Sequence, residues 1–325
     1  MSVFIIRRII QSLIVVLVMS LIVFVGVHVV GDPVYILISD DMTQEEIERF
    51  VRHLGLDRPL YEQYLHFLGN ALRGDLGNSF VQAEPALKLI LQRMPATMEL
   101  ALVALLLSIL LGVPLGMYAG LRPDAKVSRT IMAGSILGFS LPTFWVGLMM
   151  IMVFAVMLGW LPSTGRGETV SLLGVQVSFL TWDGLRHLLL PAINLALFKI
   201  SLVTRLARAG TREAALQDYV KFARAKGIKP SRVVLVHVMK NIMIPVVTVL
   251  GLEFGGLIAF SVVTETVFAW PGMGKLLIDS IQLLDRPVVV AYLVITVVMF
   301  VVINLVVDVL YSVLDPRVRL KEAKN

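Results

Sequence analysis

Six apolar runs set the terms for this chain. A hydrocarbon core about 30 Å thick takes about 20 helical residues to cross. Runs of that order lie at 9–30, 98–121, within 130–165, and at 187–205, 241–264 and 287–311. The first carries no charge. It is longer than the roughly 7–15 apolar residues of a secretory signal core, so it reads as a retained anchor. The third lies in an uncharged stretch too long for one span and too short for two, and Pro142 is placed to kink it. Of 325 residues, 57% are hydrophobic and 16% charged. A soluble domain has about half and about a quarter. The expected fold is an all-α integral membrane protein with six transmembrane helices.

Lysine and arginine placement sets the orientation. With the N-terminus inside, 18 of the 29 basic residues fall in inner segments, nine of them between Arg205 and Lys240. The first outer segment, 31–95, holds six basic and ten acidic residues. Both termini are therefore expected in the cytoplasm. The net charge of +6 follows from this loop bias and gives no sign of nucleic acid. The absence of cysteine excludes disulfides, thiolate metal sites and a thiol nucleophile.

The outer segments hold more than turns. In 60–68, Leu60, Tyr64, Phe67 and Leu68 fall near one helical face, which predicts a small helical cap on the outer side. The segment 161–186 is rich in Gly, Ser and Thr and reads as a loop, with a hairpin through 170–179. Three parts are expected. They are an N-terminal helix with cap (1–95), a core of further spans (96–316) with a polar loop at 206–240, and a cytoplasmic tail (317–325).

That polar loop of about forty residues is longer than a connection requires. Ala214, Ala215, Ala223 and Ala225 favour a helix over 213–225. Gly227 can close it in a left-handed conformation, and Pro230 can open the next helix. The small residues Ala223, Ala225 and Gly227 would let another surface approach the backbone. Arg224 and Lys226 would add charge for orientation. On physical grounds alone, docking of a partner and contact with anionic lipid head groups both remain open.

A resemblance goes further. DYVKFARAKG at 218–227, followed by His237, Asn241 and Pro245, resembles the coupling loop of ABC importer permeases of the dipeptide/oligopeptide/nickel family. Gly31-Asp32-Pro33, LGLDRPLYEQYL (54–65), GDLGNS (74–79), PVVTVLGLEFG (245–255), ETVFAWPGMGKLLIDSI (265–281) and NLVVDVLYSVLDPRVR (304–319) extend it over nearly the whole length. One departure concerns the general importer pattern, EAA, three residues, then Gly. Glu213-Ala214-Ala215 lies too far upstream of Gly227, and Lys221 holds the expected glutamate position.

The resemblance implies a transport subunit that is not an enzyme. It would form half of a path with a second, homologous permease chain. Two ATPase subunits would carry ATP and magnesium inside, and a separate binding protein would deliver cargo from outside. The implied cargo is a di- or oligopeptide, with nickel chelates or glutathione as alternatives in the same family. A transporter driven by an ion gradient is the alternative of a different class. The chain has no G-x-x-x-x-G-K-[ST] phosphate loop. Gly272-Met273-Gly274-Lys275 is too short for one and reads as a turn before an outer helix. The five histidines are scattered and form no metal pattern.

Charges inside spans need a partner or a watery cavity. Lys199 and Glu253 can pair with each other or line the path. Asn194 is expected to hydrogen-bond between helices. Asp308 and Asn304 share a face near the inner end of the last span, and His28 sits at the outer end of the first. Gly251, Gly255 and Gly256 are expected to allow close contact across a subunit boundary.

Overall fold

A computed structural model describes residues 2–29, 43, 45, 52 and 57–314. Gly31-Asp32-Pro33 and the tail 317–325 lie outside these, as does the side chain of His28. The chain divides into two compact units. One comprises 1–94 with 275–305, and the other 95–274 with 306–325. Residues 275–305 thus group with the N-terminal segment rather than with the core to which the sequence assigned them.

The helices in chain order are α1 (Ser2–Val29), α2 (Leu60–Leu72), α3 (Ala86–Leu121), α4 (Lys126–Ser140), α5 (Thr143–Met150), α6 (Trp182–Ala215), α7 (Asp218–Ala225), α8 (Met239–Val267), α9 (Met273–Gln282) and α10 (Arg286–Leu314). The described residues hold five helices long and apolar enough to cross a membrane. The third expected span is instead a broken one. α4 and α5, the latter extended in π-helical form over Ile151–Met157, meet at an angle of 108°. Pro142 is the cause: it disfavours helical geometry at Leu141, which is extended at φ −81°, ψ 136°.

In the first unit, α2 packs on α1. Tyr64 and Phe67 pack on Phe24 with ring centroids 5.5 and 5.6 Å away. Tyr64 also reaches Ser20 at 2.9 Å. Leu60, expected on this face, is exposed. The GDLGNS turn has a specific anchor in the same unit. Ser79 donates to Asp285, whose second oxygen accepts the Phe80 N–H at 3.0 Å. Gly77, at φ +86°, fits against Pro287. The turn is thereby fixed to the start of α10.

In the second unit α6 is the central pillar, packed by α4, α5 and α8. Thr181 caps its first turn by accepting the Gly184 N–H at 2.9 Å. The helix runs ten residues beyond the expected end at 205 and breaks at Leu216–Gln217, so the helix expected over 213–225 is two. Its inward face simply continues: Ala207, Thr211 and Ala214 are buried in register with Val203. Arg205 marks a polarity boundary and does not stop a helix. Gly112, Gly116 and Gly120 of α3 lie against Val203, Ala207 and Thr211 of α6. A Cβ on Gly116 would fall 2.6 Å from Ala207 Cβ, so this approach requires glycine. Gly251 of α8 meets Val307 within the same chain, and Gly255 is buried. The contact expected for Gly251 at a subunit boundary is thus made inside the chain. The expected hairpin is present: β1 (Val170–Leu172) pairs antiparallel with β2 (Val175–Val177). Leu173 (φ +52°) and Gly174 (φ +84°) supply the two left-handed residues of its tight turn.

Candidate functional site

The segment 218–227 is built around a short amphipathic helix, α7, with two unlike faces. On α7, Val220 and Ala223 are three residues apart and face inward, where they join Val233 and Val238. That cluster continues through Ile242, Val246 and Leu250 of α8 and Val203 of α6 to Val113 of α3. The short helix is therefore fused to the transmembrane core by uninterrupted apolar packing. Ala223 is only 4% exposed, so it is not the open small-residue surface expected from the sequence.

The outward face is different. Phe222 is 61% exposed and Tyr219 41%. Lys226 Nζ lies 4.5 Å from the centre of the Phe222 ring, a cation–π contact at the tip. Asp218, Arg224, Ala225 and Lys226 are exposed. Lys221 pairs with Asp218 at 3.0 Å, a surface pair of small energetic weight. Gly227 adopts φ +73° with nothing within 4 Å of a Cβ built on it, as expected for the residue that closes the helix. Pro230 opens the next helical turn, Pro230–Arg232. Tyr219 Oη accepts from Asn241 Nδ2 at 2.9 Å, and Asn241 also donates to the His237 carbonyl at 2.7 Å. Three positions that carried the sequence resemblance are thus brought to one place.

The intramembrane polar residues also find partners. Lys199 Nζ of α6 donates to Glu253 Oε2 of α8, so the two suggested partners do meet. Asn194 of α6 donates to Thr264 Oγ1 of α8 at 3.2 Å, the interhelical bond expected of it. Asn304 bonds back to the Phe300 carbonyl on its own helix at 2.9 Å. Among the described residues no group of three His, Asp or Glu side chains is placed to hold a metal ion.

Two buried carboxylates were not singled out in the sequence. Glu99 of α3 gathers the hairpin loop. Its Oε2 accepts from Arg166 Nη2 at 2.6 Å and Nε at 3.1 Å. Its Oε1 accepts from Ser178 N and Oγ and from Phe179 N at 2.7–2.9 Å. Glu265 of α8 is fully buried and accepts from Thr97 Oγ1 at 2.7 Å and Ser261 Oγ at 2.9 Å. Thr97 in turn accepts the Met273 N–H at 2.8 Å, and Trp270 Nε1 donates to the Ala96 carbonyl at 2.9 Å. A Cβ on Gly272 would fall within 2.5 Å of Glu265 Oε1, which explains the glycine. The string ETVFAWPGMG is thus a knot around one carboxylate. A single acid at each span end, with no lysine or arginine within one helical turn, was the signal available in the sequence.

Known proteins show the same plan. Residues 112–320 match the family described as "Binding-protein-dependent transport system inner membrane component", and residues 1–101 match its N-terminal companion. The oligopeptide transport system permease protein AppB of Bacillus subtilis (strain 168) is 39% identical over 98% of this chain and 99% of its own length. The di/tripeptide transport system permease protein DppB of Pseudomonas aeruginosa (strain UCBPP-PA14) is 40% identical, with 89% and 90% covered. The glutathione transport system permease protein GsiC of Escherichia coli (strain K12) is 36% identical, with 98% and 99% covered. Among solved structures, a chain of the MetNI methionine ABC transporter in an inward facing conformation has a TM-score of 0.54 at 16% identity. The likeness covers 70% of this chain and 96% of that one, and at this identity it concerns fold alone. Matches of this length to both family descriptions make the chain a member of the binding-protein-dependent transport system inner membrane component family.

Proposed function

We propose that the chain is the permease subunit of an ATP-driven importer of di- or oligopeptides. The observation that carries this reading is the two-faced helix α7. It offers Phe222, Tyr219 and Lys226 outward, while Val220 and Ala223 join the core that runs into α3, α6 and α8. A force applied to that exposed face passes directly to the transmembrane helices. An apolar knob ringed by charge suits a protein groove better than solvent.

On this reading two ATPase subunits seat on α7 from the cytoplasm and hold the ATP and magnesium. A second, homologous permease chain completes the path, and an external binding protein delivers the cargo. Both termini lie inside the cell. The polar segment 206–240 is the lever. Asp218, Tyr219, Arg224, Ala225, Lys226 and Gly227 lie at the ATPase contact, with Ala223 as the internal support. Peptide cargo is supported by the relatives AppB, an oligopeptide permease, and DppB, a di/tripeptide permease.

The test is uptake of labelled trialanine by proteoliposomes holding the complete complex. Expected uptake requires internal-face ATP and loaded binding protein and is insensitive to ionophores. Uptake that collapses with an ion gradient and ignores ATP would establish a secondary transporter instead.

A further inference from the structure

A charged and aromatic stripe crosses one face of the second unit, from α8 over α6 to α4. Glu253 takes Lys199 on Oε2. Lys199 Nζ lies 5.1 Å from the centre of the Phe198 ring. Phe198 stacks on Phe139 with centroids 4.6 Å apart and planes 27° apart. Arg205 lies 4.6 Å over the Phe139 ring. Lys199 is buried, but the flanks are open: the Glu253 side chain is 39% exposed and Phe139 45%.

Such a face is badly suited to hydrocarbon. A charge near the bilayer centre costs on the order of 2.5–3.5 kcal/mol on insertion scales. Pairing on Oε2 reduces that for Glu253, whose side chain is still 39% exposed. Arg205 contacts an aromatic face rather than an acid. The stripe therefore ends in an anionic group on one side and a cationic group on the other, with two rings between.

We propose that this stripe is a wall of the transport path that contacts short zwitterionic peptides directly. It rests on the importer reading and adds which part of the cargo the membrane chain touches. The peptide ammonium meets Glu253 Oε1, its carboxylate meets the Arg205 fork, and its side chains lie on Phe198 and Phe139. The spacing fits. Phe198 and Arg205, seven residues apart on α6, lie on one helix face at about 10.5 Å of rise. Two to three extended residues span about 7–11 Å. Lys199 already neutralises much of Glu253, so the contact is weak, as a site that must also release its cargo requires.

The experiment uses the full complex in proteoliposomes. This chain has no native cysteine, so Phe139→Cys introduces a single reporter thiol. A charged, membrane-impermeant thiol reagent should label it, and turnover with trialanine should slow labelling at least threefold. In parallel, import of trialanine is compared with import of its C-terminal amide, which lacks the carboxylate. Arg205→Gln should cut trialanine import at least tenfold and pull the acid-to-amide ratio toward one, whereas Arg205→Lys should restore part of the ratio. The binding protein is the same throughout, so a changed ratio belongs to this chain. An unlabelled thiol overturns the proposal, since the face then meets lipid or another helix. So does labelling that trialanine leaves unchanged, or an unaltered ratio in Arg205→Gln. If that variant fails to assemble, labelling and its protection still decide. Absence of trialanine import by the unmodified complex would instead overturn the peptide reading of function, and labelling would then report only whether the face is wet.

Discussion

Replacing Phe222 by alanine separates docking from folding. The ring is 61% exposed and lies outside the core that holds α7. A phenylalanine buries about 150–250 Å² when fully enclosed, so on the order of 100 Å² remains for a partner. At about 25 cal/mol per Å² that surface is worth roughly 2–3 kcal/mol. Loss of it should weaken ATPase binding by about 30- to 100-fold. The assay is titration of nucleotide-free ATPase subunits onto the permease pair in lipid nanodiscs, with thermal unfolding of the same sample as control. The expected result is weakened binding with an unchanged unfolding midpoint. The adjacent substitution Ala223→Glu should do the opposite. It drives a charge between Val220, Val233 and Val238, where an unpaired buried charge costs several kcal/mol. That variant should lose yield and thermal stability before any docking can be measured. If Phe222→Ala binds the ATPase normally, and Ala223→Glu folds well but fails to dock, then the two faces of α7 have been assigned backwards.

Three further perturbations probe the packing. Gly116→Ala brings a methyl to 2.6 Å from Ala207 Cβ and should destabilise the α3–α6 contact by about 1–3 kcal/mol, seen as a lower unfolding midpoint in detergent. Lys199→Ala strands Glu253 and should cost more than the double change Lys199→Ala with Glu253→Ala. A cycle should show coupling of about 0.5–3 kcal/mol, and additive effects would remove the pair as a stabilising contact. Trp270→Phe keeps the bulk of a fully buried side chain but deletes its bond to the Ala96 carbonyl, at about 1–3 kcal/mol for the acceptor left without a donor. An unchanged midpoint for that variant would mean water replaces the indole.

What could be read from the sequence follows from the range of the physics involved. Bilayer thickness acts on single helices, so five spans were visible as runs of about 20 apolar residues. Local backbone rules gave the break at Pro142, the left-handed Gly227, the start at Pro230 and the hairpin near Gly174. They did not give the 108° angle between α4 and α5, which depends on what each half packs against. The end of α6 is hidden in the sequence because polarity changes at Arg205 while the helix continues to Ala215. Ala223 was misassigned for a related reason: its small size is compatible with either a surface contact or a core position. Only the register of Val220, Val233 and Val238 distinguishes them.

The residues that escaped notice share one property. Glu99 is 67 to 80 positions from its donors, and Glu265 is 168 from Thr97. No local pattern announces such a partner, and a single sequence carries no record of pairing. Yet these carboxylates explain much of the resemblance that local reading found. The WPGMG string is shaped by the volume and hydrogen bonds of Glu265, as the GDLGNS turn is shaped by Asp285. Tyr219, His237 and Asn241 likewise tie the lever to α8 and its lead-in. Several of the strings that carry the resemblance are therefore the means of holding helix ends and turns in place.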